Sequence, residues 1–129
     1  LRLSASKTEP VMTFNEYIGM KFEDDQSVID TEPHHLNPTG NINGGVFLSM
    51  ADNYSTGIAN HAWADKFGED KFLVGVDLHA TMLANQQGGR IRVEGEPVRV
   101  GRRITVIRTR IIGDEERLLA EVTTTHVPT

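Results

Sequence analysis

At 129 residues, with 38% hydrophobic and 24% charged side chains, the chain has room for one hydrophobic core, and its composition excludes a disordered or fibrous protein. It contains no cysteine, which excludes a disulfide framework, a thiolate nucleophile and a cysteine-based zinc site. A formal charge of -5 argues against a nucleic-acid binder, whose footprint is normally basic.

In chain order, Val11, Phe14, Tyr17 and Ile18 fall at helical spacing and predict a short helix over 11–18, ended by Gly19. Two short strands are expected at 20–23 and 27–31, joined by a turn at Asp24 and Asp25. Residues 32–45 hold two prolines, three asparagines, two histidines and three glycines, the composition of a loop rich in polar groups. From Val46 to Trp63 the pattern turns helical, with Val46, Met50, Tyr54 and Ile58 recurring every four residues. The far side carries Leu48, Asp52, Ser55 and Ala59 rather than a charged surface, so cover on both sides is expected. Gly57 costs the helix about 1 kcal/mol relative to alanine, which suggests close packing against its backbone.

After a polar linker at 65–70, alternation returns. Phe72, Val74, Val76, Leu78, Ala80 and Met82 form one face of a strand, and further strands are expected at 90–98, 103–112 and 117–125. Turns at 86–89, 100–101 and 113–115 make the last three an antiparallel meander. Strands, one long helix, then four more strands describe an α+β layer in one domain over 1–129, with 1–10 expected to be flexible.

Seven of the nine arginines (Arg90, Arg92, Arg99, Arg102, Arg103, Arg108 and Arg110) fall in a stretch whose only acids are Glu94 and Glu96. This is either a basic surface for a compact polyanion or the solvated outer face of a sheet. No run of about 18 apolar residues could span a membrane. The stretch 1–10 lacks a signal peptide's apolar segment, so a cytoplasmic location is expected, although a start at Leu1 leaves a removed leader open.

The strongest local signal runs from Asn37 through Asn43, Gly44 and Gly45 to Asp52. Two glycines at a helix start let a ligand approach unpaired N–H groups at the positive end of the helix dipole, which is what an oxyanion site requires. Asp52 lies roughly 11 Å further along the axis, so one carbonyl could meet both groups only if Asp52 came from a neighbouring subunit. Asn43 also reads as a helix N-cap, Asn37 as a loop stabiliser and, less readily, Asp52 as a structural carboxylate. His34 and His35 are adjacent, and His61, His79 and His126 are dispersed, so no metal site is expected. Neither a nucleophile elbow nor a phosphate-binding loop occurs.

The run from His35 through Asp52 to Ala59 resembles the phenylacetic-acid-degradation (PaaI-like) branch of hot-dog thioesterases, as do Val76 and Asp77 to Ala84 and the Val100-Gly101-Arg102-Arg103 turn. The resemblance implies a hot-dog fold, one long helix wrapped by an antiparallel sheet of five or six strands. It also implies a homodimer or homotetramer with the site between subunits, hydrolysing acyl-CoA with no cofactor beyond the CoA of the substrate. Asp52 would be general base or nucleophile, Gly44 and Gly45 would hold the carbonyl, Asn43 and Asn37 would orient it, and Arg102, Arg103 and Asn85 would bind CoA. The chain departs from the pattern at Asn43, where histidine is usual, and at Ala84 and Asn85, where some members carry serine or threonine. A non-hydrolytic acyl-thioester receptor is the alternative, and an acyl-thioester hydratase is disfavoured by Asn43.

Overall fold

The structure, a computed structural model, describes residues 12–129; the expectations for 1–10 and Val11 lie outside them. The first helix, α1 (Phe14–Tyr17), is a single turn held by a capping box in which Thr13 accepts the Glu16 N–H and Glu16 reaches back to the Thr13 N–H. Gly19 ends it at φ +75°. Phe14 and Tyr17 are exposed, so the helical spacing buries only Ile18.

Strands β1 (Lys21–Glu23) and β2 (Gln26–Asp30) form a hairpin whose two turn residues, Asp24 and Asp25, both take positive φ. A primed turn of this kind matches the twist of the flanking strands. A short 3-10 turn, Pro33–His35, then leads into α2 (Gly44–Phe67). The helix outruns the expected 46–63 at both ends. It begins at the glycines because Asn43 caps it, and it continues through part of the expected linker because Phe67 packs on Trp63 before Gly68 closes it in a left-handed cap.

Strands β3 (Leu73–Met82), β4 (Arg90–Val100), β5 (Thr105–Ile112) and β6 (Leu118–Pro128) complete a six-stranded antiparallel sheet in the order β1-β2-β4-β5-β6-β3. The sheet curves around α2, which packs on β3, β4, β5 and β6. Two apolar clusters fill the space. One gathers Ile29, Phe47, Met50, Ile91 and Ile111, and the other Ala59, Trp63, Leu73 and Ile107. Between them the buried side chains turn polar. Ser55 lies between Ala51 and Ala59 on the helix, Thr109 lies between Ile107 and Ile111 on β5, and Thr124 and His126 follow on β6.

The arginine-rich stretch is partly neutralised. Arg90 pairs with Asp30 and Glu23, Arg92 with Glu94 and Glu116, and Arg110 with Glu94 and Glu96. Lys21 and Arg90 together hold the Asp30 carboxyl well below the usual carboxylate range. Acids remote in sequence supply three of these six pairs, and Arg99, Arg103 and Arg108 make no ion pair among the described residues. Among the described residues no helix is long and apolar enough to cross a membrane.

The close packing expected at Gly57 is not found within the chain: nothing lies within 4 Å of the point a Cβ would occupy. The glycine sits on the exposed stripe of α2. Gly57→Ala should therefore stabilise the helix by about 1 kcal/mol, seen as a higher melting temperature. A lower one would mean that a second molecule packs against this stripe.

Candidate active site

The start of α2 is fixed by hydrogen bonds. Asn43 has extended backbone, and its Oδ1 accepts the Gly45 N–H at 2.7 Å, while the Val46 N–H turns back to the Asn43 carbonyl. The Gly45 amide is thereby spent, which corrects the expectation that it would hold a substrate carbonyl. The Gly44 N–H meets no acceptor among the described residues and is the amide left free at the positive end of the helix. Asn43 is likewise a cap, with its oxygen committed to the helix.

The loop leading to this point is held by other side chains from the expected site. Asn37 Oδ1 accepts the Thr39 N–H (2.9 Å), the Thr39 hydroxyl (2.6 Å) and the Asn41 N–H (3.2 Å), the pattern of a side chain that shapes a turn. Asn85 accepts the Ile42 N–H (3.0 Å) and the Gln86 N–H (2.7 Å) and donates to the Ile42 carbonyl (2.9 Å). Its amide clasps the loop to the end of β3, which makes Asn85 a structural anchor. His35 is a satisfied core histidine, accepting the Glu32 N–H at Nδ1 and donating from Nε2 to the Ile18 carbonyl. Among the described residues no cluster of three potential metal ligands occurs.

Asp52 is exposed, and its carboxylate makes no hydrogen bond or ion pair among the described residues. Within one chain the expected cover on this side of the helix is incomplete, because α2 presents Asp52 beside β3, an edge strand among the described residues. The carboxylate opens into a recess of about 260 Å³ lined by Gly75, Val76, Asp77 and Leu78. Asp52 and the Gly44 amide stand roughly 11 Å apart along one helix axis, as the sequence spacing requires.

His126 lies on the inner side of the same recess. It is fully buried, its Nδ1 has no partner among the described residues, and burial pushes its imidazole below the ordinary value of 6.5, while the Asp52 carboxylate pulls the other way. The sequence reading dismissed this histidine for want of ligand spacing. The signal that could have found it is the alternation Ala120, Val122, Thr124, His126, which carries it to the buried face of β6.

Arg102 and Arg103 sit in the β4–β5 turn at the far end of α2, roughly 20 Å along the helix from Asp52. The Gly101 carbonyl accepts the Trp63 indole N–H, and Lys66 donates to the Val100 carbonyl. Arg102 pairs with Glu69 at 2.6 Å and stacks over Phe67, whereas Arg103 makes no ion pair among the described residues. With Arg99 they line a recess of about 530 Å³. Within one chain this turn and Asp52 do not meet. A larger apolar recess, about 960 Å³, opens on the other side of α2 between Tyr54, Ile58, Met20, Phe22 and Pro97.

The model of the thioesterase superfamily matches residues 39–120, which span the loop, α2 and most of the sheet. The chain belongs to the thioesterase superfamily, and its fold is the hot-dog fold. It is 27% identical over 114 residues to the 1,4-dihydroxy-2-naphthoyl-CoA hydrolase of Listeria monocytogenes, covering 84% of this chain and 89% of that protein. A Mycobacterium tuberculosis protein provisionally named an esterase is 27% identical over 112 residues, 83% of this chain and 79% of its own. The solved structure of that mycobacterial protein superposes with a TM-score of 0.82 at 24% identity, covering 90% of this chain and 95% of that one. A Streptococcus mutans protein solved with acetyl CoA superposes at 0.69 and 18% identity, over 81% of this chain and 79% of that one.

Two outcomes follow from this geometry. Asn43→Ala removes the cap from the Gly45 amide and should cost about 1 kcal/mol, read as a lower melting temperature that Asn43→Asp largely restores. Because burial lowers the folded pKa of His126, the folded state takes up its proton less readily than the unfolded chain. That contribution to stability is complete above pH 6.5 and is lost as pH falls below it. Melting curves between pH 8 and pH 5 should show this loss, and it should be absent in His126→Asn.

Proposed function

We propose that the protein is an acyl-CoA thioesterase acting as a homo-oligomer, in the cytoplasm, with Asp52 of one subunit and the Gly44 amide of another meeting at each site. The observation that carries this reading is an unpartnered carboxylate on α2 opening beside an unpaired sheet edge. β3 is ten residues long and among the described residues has only β6 as a neighbour, and Val76, Leu78 and Met82 on it are exposed. A long apolar edge invites pairing with a second copy. β1, the other edge, has three residues, two of them charged. Pairing through β3 would cover Asp52 and bring a second helix start towards it.

In the proposed reaction a water attacks the thioester carbonyl as Asp52 takes its proton, and the Gly44 N–H at the helix N-terminus stabilises the oxyanion. Collapse breaks the carbon–sulfur bond and releases CoA. A thiol pKa of about 8.5 lets the thiolate depart without a strong general acid, so Asn43 in place of histidine is compatible with turnover. The naming of the Listeria relative as a naphthoyl-CoA hydrolase and the acetyl CoA in the Streptococcus structure support an acyl-CoA substrate. The apolar recess at Tyr54 and Ile58 is the proposed seat of the acyl group, and Arg103 with Arg99 the proposed contacts for CoA phosphates. A non-hydrolytic receptor is the second reading, favoured by the commitment of Asn43 to the helix cap.

The test is thiol release from short, medium, long and aromatic acyl-CoAs. Asp52→Asn should lower kcat by about a hundredfold or more, with acyl-CoA affinity and melting temperature nearly unchanged. Gly44→Pro is the companion, since proline is tolerated at the first helical position yet has no N–H to offer. Co-refolding Asp52→Ala with Gly44→Pro should recover part of the activity through hybrid sites, and an active monomer in sedimentation would refute the shared site. Acyl-CoA binding without thiol release across the panel would select the receptor.

A further inference from the structure

The proposed chemistry leaves His126 unused, although it is the buried titratable group nearest the Asp52 recess. Its Nε2 lies 2.8 Å from the Thr124 hydroxyl. If that hydroxyl donates to Nε2, the ring proton resides on Nδ1, the atom that has no partner and is fully buried. Buried polar atoms are seldom left unpaired, and the exceptions ask for an explanation.

Position 75 supplies one. Gly75 faces His126 across the β3–β6 ladder, and the register shifts immediately after it, between Gly75 and Asp77. A Cβ at this position would stand 3.6 Å from Nδ1 and Cε1 of His126 and 3.6 Å from Asp52 Oδ1. The ring nitrogen and the carboxylate thus flank one small space kept clear by a glycine. They are at most twice that distance apart, with only that space between the ring and the carboxylate at the glycine.

We propose that His126 is a positioning residue for Asp52: its Nδ1–H faces one carboxylate oxygen across the space that Gly75 keeps clear, and leaves the other to accept the proton of the hydrolytic water. The assignment rests on Asp52 being the base. A donor aimed at a carboxylate favours its charged form, and an imidazole kept neutral by burial can serve as that donor at neutral pH. The charged and titratable groups around the ring are few. α2 offers Asp52. β5 offers the uncharged Thr105, and β6 itself Thr124. β3 carries Asp77 and His79, but their ladder partners Thr125 and Thr123 lie on the opposite face of β6 from His126.

The experiment combines kinetics with spectroscopy of the intact protein. His126→Gln keeps a polar group near Thr124 but places nothing where Nδ1 was, whereas His126→Asn keeps an amide N–H at that point. Gly75→Ala fills the cleared space at ordinary contact distance, without a positive φ to strain it. The Gln and Ala variants should lose about tenfold in kcat with KM unchanged, and the acid limb of their pH–rate profile should move up by about half a unit or more. His126→Asn should stay near wild type in both. A purely structural histidine would lower melting temperature in all His126 variants and leave the acid limb in place, which overturns the proposal, as does a wild-type profile in folded Gly75→Ala.

Long-range proton–nitrogen spectra decide the matter without turnover. The ring should carry its proton on Nδ1, and its pKa should fall in Asp52→Asn; an Nε2–H tautomer, or a pKa indifferent to Asp52, overturns the link. Wild-type turnover in Asp52→Asn would instead sink Asp52 as the base, while these spectra still report the pairing separately.

Discussion

The depth at which α2 lies in the curve of the sheet governs the rest of the molecule. A single six-stranded sheet has to cover one 24-residue helix from two sides, and it does so only because the buried stripe is small where the approach is closest. Ala51, Ser55 and Ala59 are fully buried, while the larger Phe47, Met50 and Trp63 fill the space nearer the two ends. A leucine at position 55 would lift the helix from the sheet, as overpacking does in any close-packed core. It would also carry Asp52 away from Gly75. The same choice of small residues therefore serves packing and places the carboxylate.

The start of the helix is set by hydrogen bonds more than by apolar burial. Asn37 shapes the turn, Asn85 clasps Ile42 from two sides, Asn43 caps the first turn, and His35 ties the preceding segment to the Ile18 carbonyl. These groups leave the Gly44 amide without an acceptor among the described residues. The Met82 methyl stands 3.3 Å from where a Cβ on Gly44 would be, so β3 closes one side of that amide. A side-chain cap needs an oxygen that can reach the N–H two residues on, and asparagine supplies one. That gives Asn43 a local reason to stand where the thioesterases it resembles usually carry histidine.

Most of the fold was legible in the sequence because its signals are local. Asp24 and Asp25 marked their turn, Gly19 marked the end of α1, and the alternation from Leu73 onward marked each strand to within a few residues. The long helix was visible through its four-residue recurrence, but its ends depended on a cap at Asn43 and on ring packing between Trp63 and Phe67. The site was legible in part. Asp52 and Gly44 came from the motif, and the cap that engages the Gly45 amide was legible in Asn43, whereas the bonds from Asn85 to Ile42 join residues 43 positions apart, which a local pattern does not contain. The arginine stretch left both of its readings open for a related reason. Its partners Glu23, Asp30 and Glu116 reach it only through the pairing of β2 and β4 and the turn after β5.

The polar seam between the two apolar clusters gives the interior its specificity. Each apolar cluster could tolerate small rearrangements, but Thr105, Thr109 and Ser55 donate their hydroxyls to the carbonyls of Gly101, Val122 and Asp52, and the Thr124 hydroxyl shares a hydrogen bond with the His126 ring. A sliding of β6 by one residue would turn His126 outward and leave these hydroxyls facing the wrong strand positions. The seam thus fixes the register of β6 against β5 and β3, and through β3 the position of Gly75 beneath Asp52. Polar groups that would weaken an ordinary core here determine which strand residue stands beside the helix carboxylate. This explains why threonine and histidine occupy inward positions that leucine or valine could otherwise fill.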